Sequence, residues 1–144
     1  MSYLDQLDEI FRQVFQRMTV ERNKWQTREL SASQAYLLEW LQCRGPQKVS
    51  DLAEALGTTL SAVTALVDKL ANCGYVIRRR SAEDRRVVYV HITEKGSECL
   101  RQLRQQRRLM LERVYRGLSD EDLQHLIRIY RQVLENIKTE REKS

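Results

Sequence analysis

The chain has few of the residues that end or bend regular structure, with 5 glycines and 1 proline among 144 residues. That content is about a third of average usage, so a loop-rich β-sandwich, a collagen-like repeat and a disordered linker are poor interpretations. No apolar run approaches the roughly 20 residues of a membrane span. The N-terminal residues lack the basic-then-apolar pattern of a secretory signal. We therefore expect a globular protein of the cytoplasm that makes no membrane contact.

Cysteine and histidine are equally scarce. The three cysteines, Cys43, Cys73 and Cys99, are far apart, and there are two histidines. Neither the count nor the spacing fits a disulfide framework or a zinc site, so we expect a reducing compartment, no metal and no cofactor. The sequence also lacks a glycine-rich phosphate loop and a Ser/His/Asp set, which argues against an enzyme.

Positive charge is concentrated in two segments of this chain, whose net charge is +5. Residues 75–93 carry five arginines against two acids, and residues 101–116 carry six arginines against one acid. The planar guanidinium suits phosphate groups and base edges. We favour a functional interpretation for residues 75–93, because that charge lies on a predicted hairpin. For residues 101–116 we favour a solvated helix face.

Apolar spacing predicts helices towards both ends of the chain. Residues 4–18 place their apolar side chains on one helical face. Ser31 and Gln34 form a capping-box pattern that starts a second helix. Two more helices follow the central region, with Thr93 and Ser119 as their expected N-caps.

The central segment predicts a helix-turn-helix. Ser50 is the expected N-cap of a short third helix, and Gly57 ends that helix. Thr58 or Thr59 then caps a fourth helix that ends before Gly74. Two helices joined by such a tight turn are typical of a DNA-binding motif whose second helix enters the major groove.

After the fourth helix the apolar period changes from helical to alternating. Residues 75–77 and 87–92 are rich in β-branched and aromatic side chains, which predicts two strands around a tip at residues 81–86. This hairpin forms a wing beside the helix-turn-helix. The predicted fold class is mainly α with a small β-hairpin wing, a winged helix-turn-helix.

Small side chains cover the outward face of the fourth helix. Its helical period leaves six of them outward or at the boundary: Thr58, Thr59, Ser61, Ala62, Thr64 and Ala65. Hydroxyl groups bond phosphates or base edges, and alanine allows close approach to a thymine methyl group. The alternative is that Thr59 and Ser61 only cap the helix.

The wing tip is short and charged. Arginine in a narrow minor groove gains from its negative potential, so Arg85 and Arg86 are candidate minor-groove residues. Asp84 cannot attract DNA itself. We expect it to hold a neighbouring arginine or to tighten the turn through backbone N–H groups. The alternative is a solvated hairpin without a role in binding.

Three stretches carry a more specific pattern. They are LSASQAYLLEWL (residues 30–41), VSDLAEALGTTLSAVTALVDKLANCGYVIRR (49–79) and EDRRVVYVHITEKG (83–96). Together with the flanking helices they resemble the MarR family of dimeric winged-helix transcriptional regulators. The resemblance implies one domain over residues 1–144, with a winged-helix core at about 31–93 and dimerisation helices at about 2–24 and 94–140.

The resemblance also implies roles for single residues. Asp84 and Arg86 match the wing pair of the family, and Arg86 is the expected minor-groove residue. Ser61 and Thr64 match small residues of its recognition helix. Ala65 is a departure, because many relatives have a basic residue at that position, and this removes one contact to DNA.

Two further cations are candidate contacts to the DNA backbone. They are Lys69 on the fourth helix and Arg78 on the first wing strand. The alternative for Arg78 is an ion pair with an acid in the wing.

Long apolar stripes on the first and last helices agree with a dimer. A single winged helix covers only part of those stripes. A two-fold partner would bury the rest and place two recognition helices on a palindromic site, roughly 34–36 Å apart. A monomeric helical cap is the alternative.

Family members often respond to a small ligand bound between the dimer helices and the winged helix. An aromatic or apolar effector is therefore implied, with Phe15, Met18, Trp25, Tyr36 and Trp40 as candidate pocket residues. Packing in the core or interface is the favoured alternative for them. Cys99, followed by Arg101 and Arg104, is the candidate redox sensor, although structural thiols are favoured.

We therefore predict a homodimeric transcriptional regulator that binds double-stranded DNA at a palindromic operator. Helix 58–73 would lie in the major groove and wing 81–86 at the minor groove. In the family such proteins are most often repressors, and a small ligand would relieve repression. The alternative is a protein-interaction adaptor on the same scaffold, which an acidic or apolar wing would favour over the arginines present here.

Overall fold

The computed structural model describes residues 1–25 and 30–144. Its elements are α1 (Tyr3–Trp25), α2 (Ala32–Arg44), β1 (Gln47–Lys48), α3 (Val49–Leu56), α4 (Leu60–Asn72), β2 (Val76–Arg80), β3 (Val88–Ile92), α5 (Glu94–Val114) and α6 (Asp120–Lys143). The predicted fold class, mainly α with a small β wing, is confirmed. The chain forms two compact units, Met1–Met110 and Leu111–Ser144. That the whole chain acts as one domain stays a prediction.

The wing is a three-stranded antiparallel sheet in the order β1-β3-β2. The central strand β3 pairs with β2, where Val76 lies opposite Ile92. On its other side β3 pairs with β1, where Gln47 lies opposite Val90. β1 was not predicted from the sequence, because two residues are too few to show an alternating pattern.

The predicted start of α3 is wrong by two residues. The helix begins at Val49, and Lys48 rather than Ser50 takes the N-cap position, with φ −73° and ψ 152°. β1 ends at Lys48, whose pairing with β3 fixes an extended backbone there. The helix therefore starts directly after the strand.

The predicted capping box at Ser31 and the predicted N-cap at Ser119 are confirmed. Ser31 Oγ accepts the Gln34 N–H at 3.2 Å, and Gln34 Oε1 accepts the Ser31 N–H at 2.9 Å. The same reciprocal pair joins Ser119 and Asp122 at the start of α6. α6 continues to Lys143, beyond its predicted end near residue 140.

The core lies among α2, α3, α4, α5 and the wing. Ten aliphatic side chains in it have almost no exposed surface: Leu37, Leu38, Leu41, Leu52, Val63, Val67, Leu70, Val76, Val90 and Leu100. Full burial of one such side chain is worth about 1.5–3 kcal/mol. Val67 and Leu70 of α4 belong to the same buried cluster as Val76 of β2, so their burial holds α4 against the wing. In the described part of the chain, no helix is both long and apolar enough to cross a membrane.

A tight junction joins the end of α4 to the start of α5. Thr93 caps α5 as predicted: its Oγ1 accepts the Gly96 N–H at 3.1 Å and donates to the Gly74 carbonyl at 2.6 Å. A Cβ atom on Gly96 would lie 2.2 Å from the Tyr75 carbonyl oxygen, so the close approach requires glycine. We refer to these four residues as the α4–α5 junction.

Candidate nucleic-acid interface

The outward face of α4 has the small side chains that the sequence predicts. Val63, Val67 and Leu70 point into the core. Six small residues of this segment are exposed: Thr58, Thr59, Ser61, Ala62, Thr64 and Ala65. Because these side chains are short, the helix backbone can approach another surface closely.

Local hydrogen bonds fix where α4 begins. Gly57 has the left-handed φ of 64° that turns the chain after α3. The Thr59 hydroxyl accepts the Ala62 N–H at 3.2 Å, so Thr59 rather than Thr58 is the cap. The first turn carries no acidic side chain, and the positive end of the helix dipole is open to a phosphate group.

Hydrogen bonds also shape the wing tip. The Ser81 hydroxyl accepts the N–H groups of Glu83 and Asp84 at 3.2 and 3.4 Å. The Asp84 carboxylate accepts the Arg86 backbone N–H at 3.0 Å and the Arg86 Nε–H at 3.2 Å. Both contacts predicted for Asp84 are thus confirmed. The Arg86 side chain remains 92% exposed, so it is anchored at the turn while its guanidinium faces solvent.

Two other predicted cations are exposed in the same unit. Lys69 lies in the last turn of α4. Arg85 lies at the wing tip, where its carbonyl accepts the Arg80 Nη1–H at 3.0 Å. Both side chains add positive charge to the surface that α4 and the wing present.

Arg78 is engaged in an ion pair. Its guanidinium pairs with the Asp68 carboxylate on α4. The alternative predicted for Arg78 was an acid of the wing, whereas the acid belongs to α4. The two side chains are 36% and 57% exposed. The pair joins two elements that the sequence analysis treated separately, and no sequence spacing links a residue of α4 to a residue of β2.

Leu60 is a residue of this surface that the sequence analysis missed. It is the first residue of α4 and is 56% exposed. Its apolar side chain is suited to contact with a thymine methyl group. The available signal was its position directly after the N-cap, where a recognition helix meets base edges.

A cavity of about 270 Å³ lies beside α2. Residues of α1, α2 and α5 line it: Arg22, Ala32, Ala35, Tyr36, Glu39, Leu103, Gln106, Arg107 and Met110. Arg107 Nη2 and Glu39 Oε1 are 2.7 Å apart in this lining. Tyr36 is the predicted pocket residue that lines this cavity.

The other predicted pocket residues lie elsewhere or outside the described side chains. Phe15 is 65% exposed on α1, and Met18 is half-buried. Trp40 packs against the core, with its ring 6.1 Å from the Tyr36 ring. The side chain of Trp25 lies outside the described part of the chain.

The cysteines differ in access. Cys99 is half-buried against the core, whereas Cys43 and Cys73 are exposed. Because oxidation of a thiol requires access as well as a lowered pKa, the burial of Cys99 works against a sensor role. That role stays a prediction.

An exposed surface with arginine and lysine side chains on a winged helix-turn-helix defines a class, the winged-helix DNA-binding proteins. The model of the MarR family matches residues 30–88. Over 121 residues the chain is 38% identical to the HTH-type transcriptional regulator YfiV of Bacillus subtilis, covering 82% of this chain and 76% of YfiV. The chain belongs to the MarR family of transcriptional regulators.

Two further comparisons extend this result. The transcriptional repressor MprA of Escherichia coli strain K12 is 33% identical over 88 residues, which are 61% of this chain and 50% of MprA. The crystal structure of Streptococcus pneumoniae FabT in complex with DNA superposes with a TM-score of 0.80 at 24% identity, covering 94% of this chain and 98% of that one. YfiV and MprA are transcriptional regulators rather than enzymes, and FabT shows the same fold.

Proposed function

We propose that this protein is a homodimeric repressor that binds a palindromic operator. In each protomer α4 enters the major groove, and the wing tip lies at the minor groove. The proposal depends on two features that occur together. α4 has an exposed face of small residues, and the wing tip has an arginine, Arg86, that is 92% exposed and anchored by Asp84. MprA is a transcriptional repressor, which supports repression rather than activation for this protein.

The proposed interface has two parts with different tasks. Small hydroxyl and methyl groups on α4 read bases, while cations bind phosphates or the minor groove. Asp84 acts through Arg86. The residues proposed for the interface are Thr58, Thr59, Ser61, Ala62, Thr64, Lys69, Arg78, Asp84, Arg85 and Arg86.

Uncovered apolar surface on α1 and α6 supports the dimer. None of the 24 residues of α6 is buried, and Leu134 is 64% exposed. On α1, Phe11 and Phe15 are 56% and 65% exposed. Monomeric proteins rarely expose contiguous apolar surface of this kind. A second copy covers both helices and relates the two recognition helices by a two-fold axis.

A small aromatic or apolar ligand relieves repression in this proposal. The cavity beside Tyr36 supports it, because apolar groups of Leu103 and Met110 line it together with polar ones. Such a ligand shifts the protein only if it binds one spacing of the recognition helices more tightly than another.

Titration of the purified protein against the DNA upstream of its own gene and against a scrambled duplex tests the proposal. The titration is run at two salt concentrations, with mass determination of the free protein. We expect dimers that prefer the upstream duplex. Equal, salt-sensitive binding to both duplexes would move the search to operators elsewhere, since only the electrostatic part of binding is then observed. Absence of binding to either duplex at low salt would overturn the proposal and favour the adaptor.

A further inference from the structure

Asp68 is an acid on the helix face that is proposed to meet DNA. It is exposed and lies four residues after Thr64, on the same side of α4. A carboxylate at this position repels the phosphate backbone, so its presence requires a physical reason. The ion pair with Arg78 supplies one, because the guanidinium neutralises the carboxylate.

Neutralisation alone does not account for the pair. The Asp68–Arg78 pair has no net charge. Two neutral side chains at these positions would also have no net charge, and neither would bring a carboxylate near the DNA phosphates. What the pair adds is a link between α4 and β2 at their solvent-exposed side. The link supplements the buried cluster to which Val67 and Leu70 of α4 and Val76 of β2 belong.

We propose that Asp68 is a positioning residue for DNA recognition, which acts through Arg78 to hold the wing at a fixed angle to α4. The inference rests on the proposed function. It assigns Arg78 a bracing role in place of a direct phosphate contact. α4 and the wing tip must reach neighbouring grooves at the same time, so an error in their relative angle weakens one contact when the other is made.

Asp68→Asn tests the proposal, with Glu54→Gln as the matched control. Glu54 is exposed on α3, and its replacement makes the same charge change. We expect Asp68→Asn to lower affinity for the operator duplex about 10-fold, because one exposed ion pair is worth a factor of about 2 to 5 and a dimer has two. The slope of affinity against salt should not change. Tighter binding of Asp68→Asn to operator and scrambled duplex alike, as expected of simple charge removal, would overturn the proposal.

Two rescue variants separate bracing from direct contact. Asp68→Glu keeps the charge, and the swap Asp68→Arg with Arg78→Asp restores the pair in reverse. Under the proposal both bind the operator more tightly than Asp68→Asn. If Arg78 bound a phosphate itself, the swap would place a carboxylate at that phosphate and bind more weakly than Asp68→Asn, which would refute the bracing role.

Hydrogen exchange of the backbone amides in residues 76–92 of the free protein provides a readout that needs no DNA. We expect faster exchange in Asp68→Asn than in the wild type and slower exchange again in the swap. Unchanged exchange would overturn the inference even if operator binding is intact. If the wild-type protein binds no duplex while the variants show the expected differences in exchange, the proposed function is overturned and the link between α4 and β2 is retained.

Discussion

Arg86 is anchored near its backbone while its side chain is exposed to solvent. Its backbone N–H and Nε are both held by Asp84, and its side chain is 92% exposed. The anchoring reduces the conformational entropy that an arginine loses when it enters a groove. A wing arginine of this kind can contribute to affinity without a specific base contact.

Arg86→Ala should weaken binding to many duplex sequences and lower the salt slope by about 2 per dimer, because each copy loses one phosphate-type contact. Binding isotherms at several salt concentrations measure both effects. Arg104→Ala, which removes an exposed cation of α5, is the control and should leave operator preference unchanged. An Arg86→Ala protein with wild-type affinity and salt dependence would remove the wing from the mechanism.

Gly96→Ala should destabilise the protein, although alanine in place of a helical glycine ordinarily stabilises by about 1 kcal/mol. The added Cβ would lie 2.2 Å from the Tyr75 carbonyl oxygen, which is backbone and cannot move aside cheaply. We expect a loss of about 3 kcal/mol or more in the free energy of unfolding, measured by urea titration. Gln102→Ala on the same helix is the control, with an expected change within about 0.5 kcal/mol. A stabilised Gly96→Ala protein would contradict the geometry of the α4–α5 junction.

The residue contacts that the sequence could predict are local ones. Ser31 with Gln34 and Asp84 with Arg86 lie two or three positions apart, so a pattern of residue types is enough to pair them. The Asp68–Arg78 pair spans ten positions across a helix end and a turn. The pair forms only because β2 packs on α4, and the spacing of residues in the sequence does not predict that packing.

At the scale of elements, the start of α4 determines which residues face outward. The chain turns at Gly57, and Thr59 then holds the first turn through the Ala62 N–H. A shift of one residue in this start would rotate every exposed side chain by about 100° around the helix axis. Thr59 therefore shapes the proposed recognition surface and also stabilises the helix.

Thr59→Ala should lower the free energy of unfolding by about 1 kcal/mol, because the Ala62 N–H loses its acceptor. Chemical unfolding of the free protein measures the change. Thr58→Ala, one residue outside the cap, should cost less, and Thr59→Ser should restore most of the loss. Equal costs at the two threonines would show that Thr59 is not the cap.

Element types were predictable because α4 and β3 differ in apolar period. Residues 60–72 repeat at helical spacing, whereas residues 88–92 alternate. β1 was not predictable, since its two residues are defined only by pairing with β3. The same pairing moved the N-cap of α3 from the expected Ser50 to Lys48.

At the scale of the whole molecule, the uncovered apolar side chains of α1 and α6 set the expected assembly. Leu134→Glu should convert the dimer to a monomer, because it places a charge in the proposed interface at a side chain that is 64% exposed in one chain. Light scattering after gel filtration measures the mass, and operator titration should show weaker binding. Gln124→Glu, an exposed polar position of the same helix, is the control and should remain dimeric. A dimeric Leu134→Glu protein would require an interface without this part of α6.

The apolar stripes on α1 and α6 were predictable from the sequence, but the lining of the cavity beside α2 was not. Among the predicted pocket residues whose side chains the structure describes, Tyr36 lines the cavity. Arg22, Glu39 and Arg107 come from three different helices and have no common spacing in the sequence. Cavities form between elements, and their lining follows from packing rather than from the period of any single element.

The α4–α5 junction has a consequence for how such a regulator can diversify. Thr93 donates a hydrogen bond to the Gly74 carbonyl, and the backbone at Tyr75 lies against Gly96, so the first turn of α5 packs directly on the segment that follows α4. A substitution near the start of α5 that tilts this helix can therefore shift α4, the helix that is proposed to read DNA, without altering a side chain of α4. Under the proposed function, substitutions at the start of α5 and substitutions on the exposed face of α4 are two separate routes by which DNA binding can change.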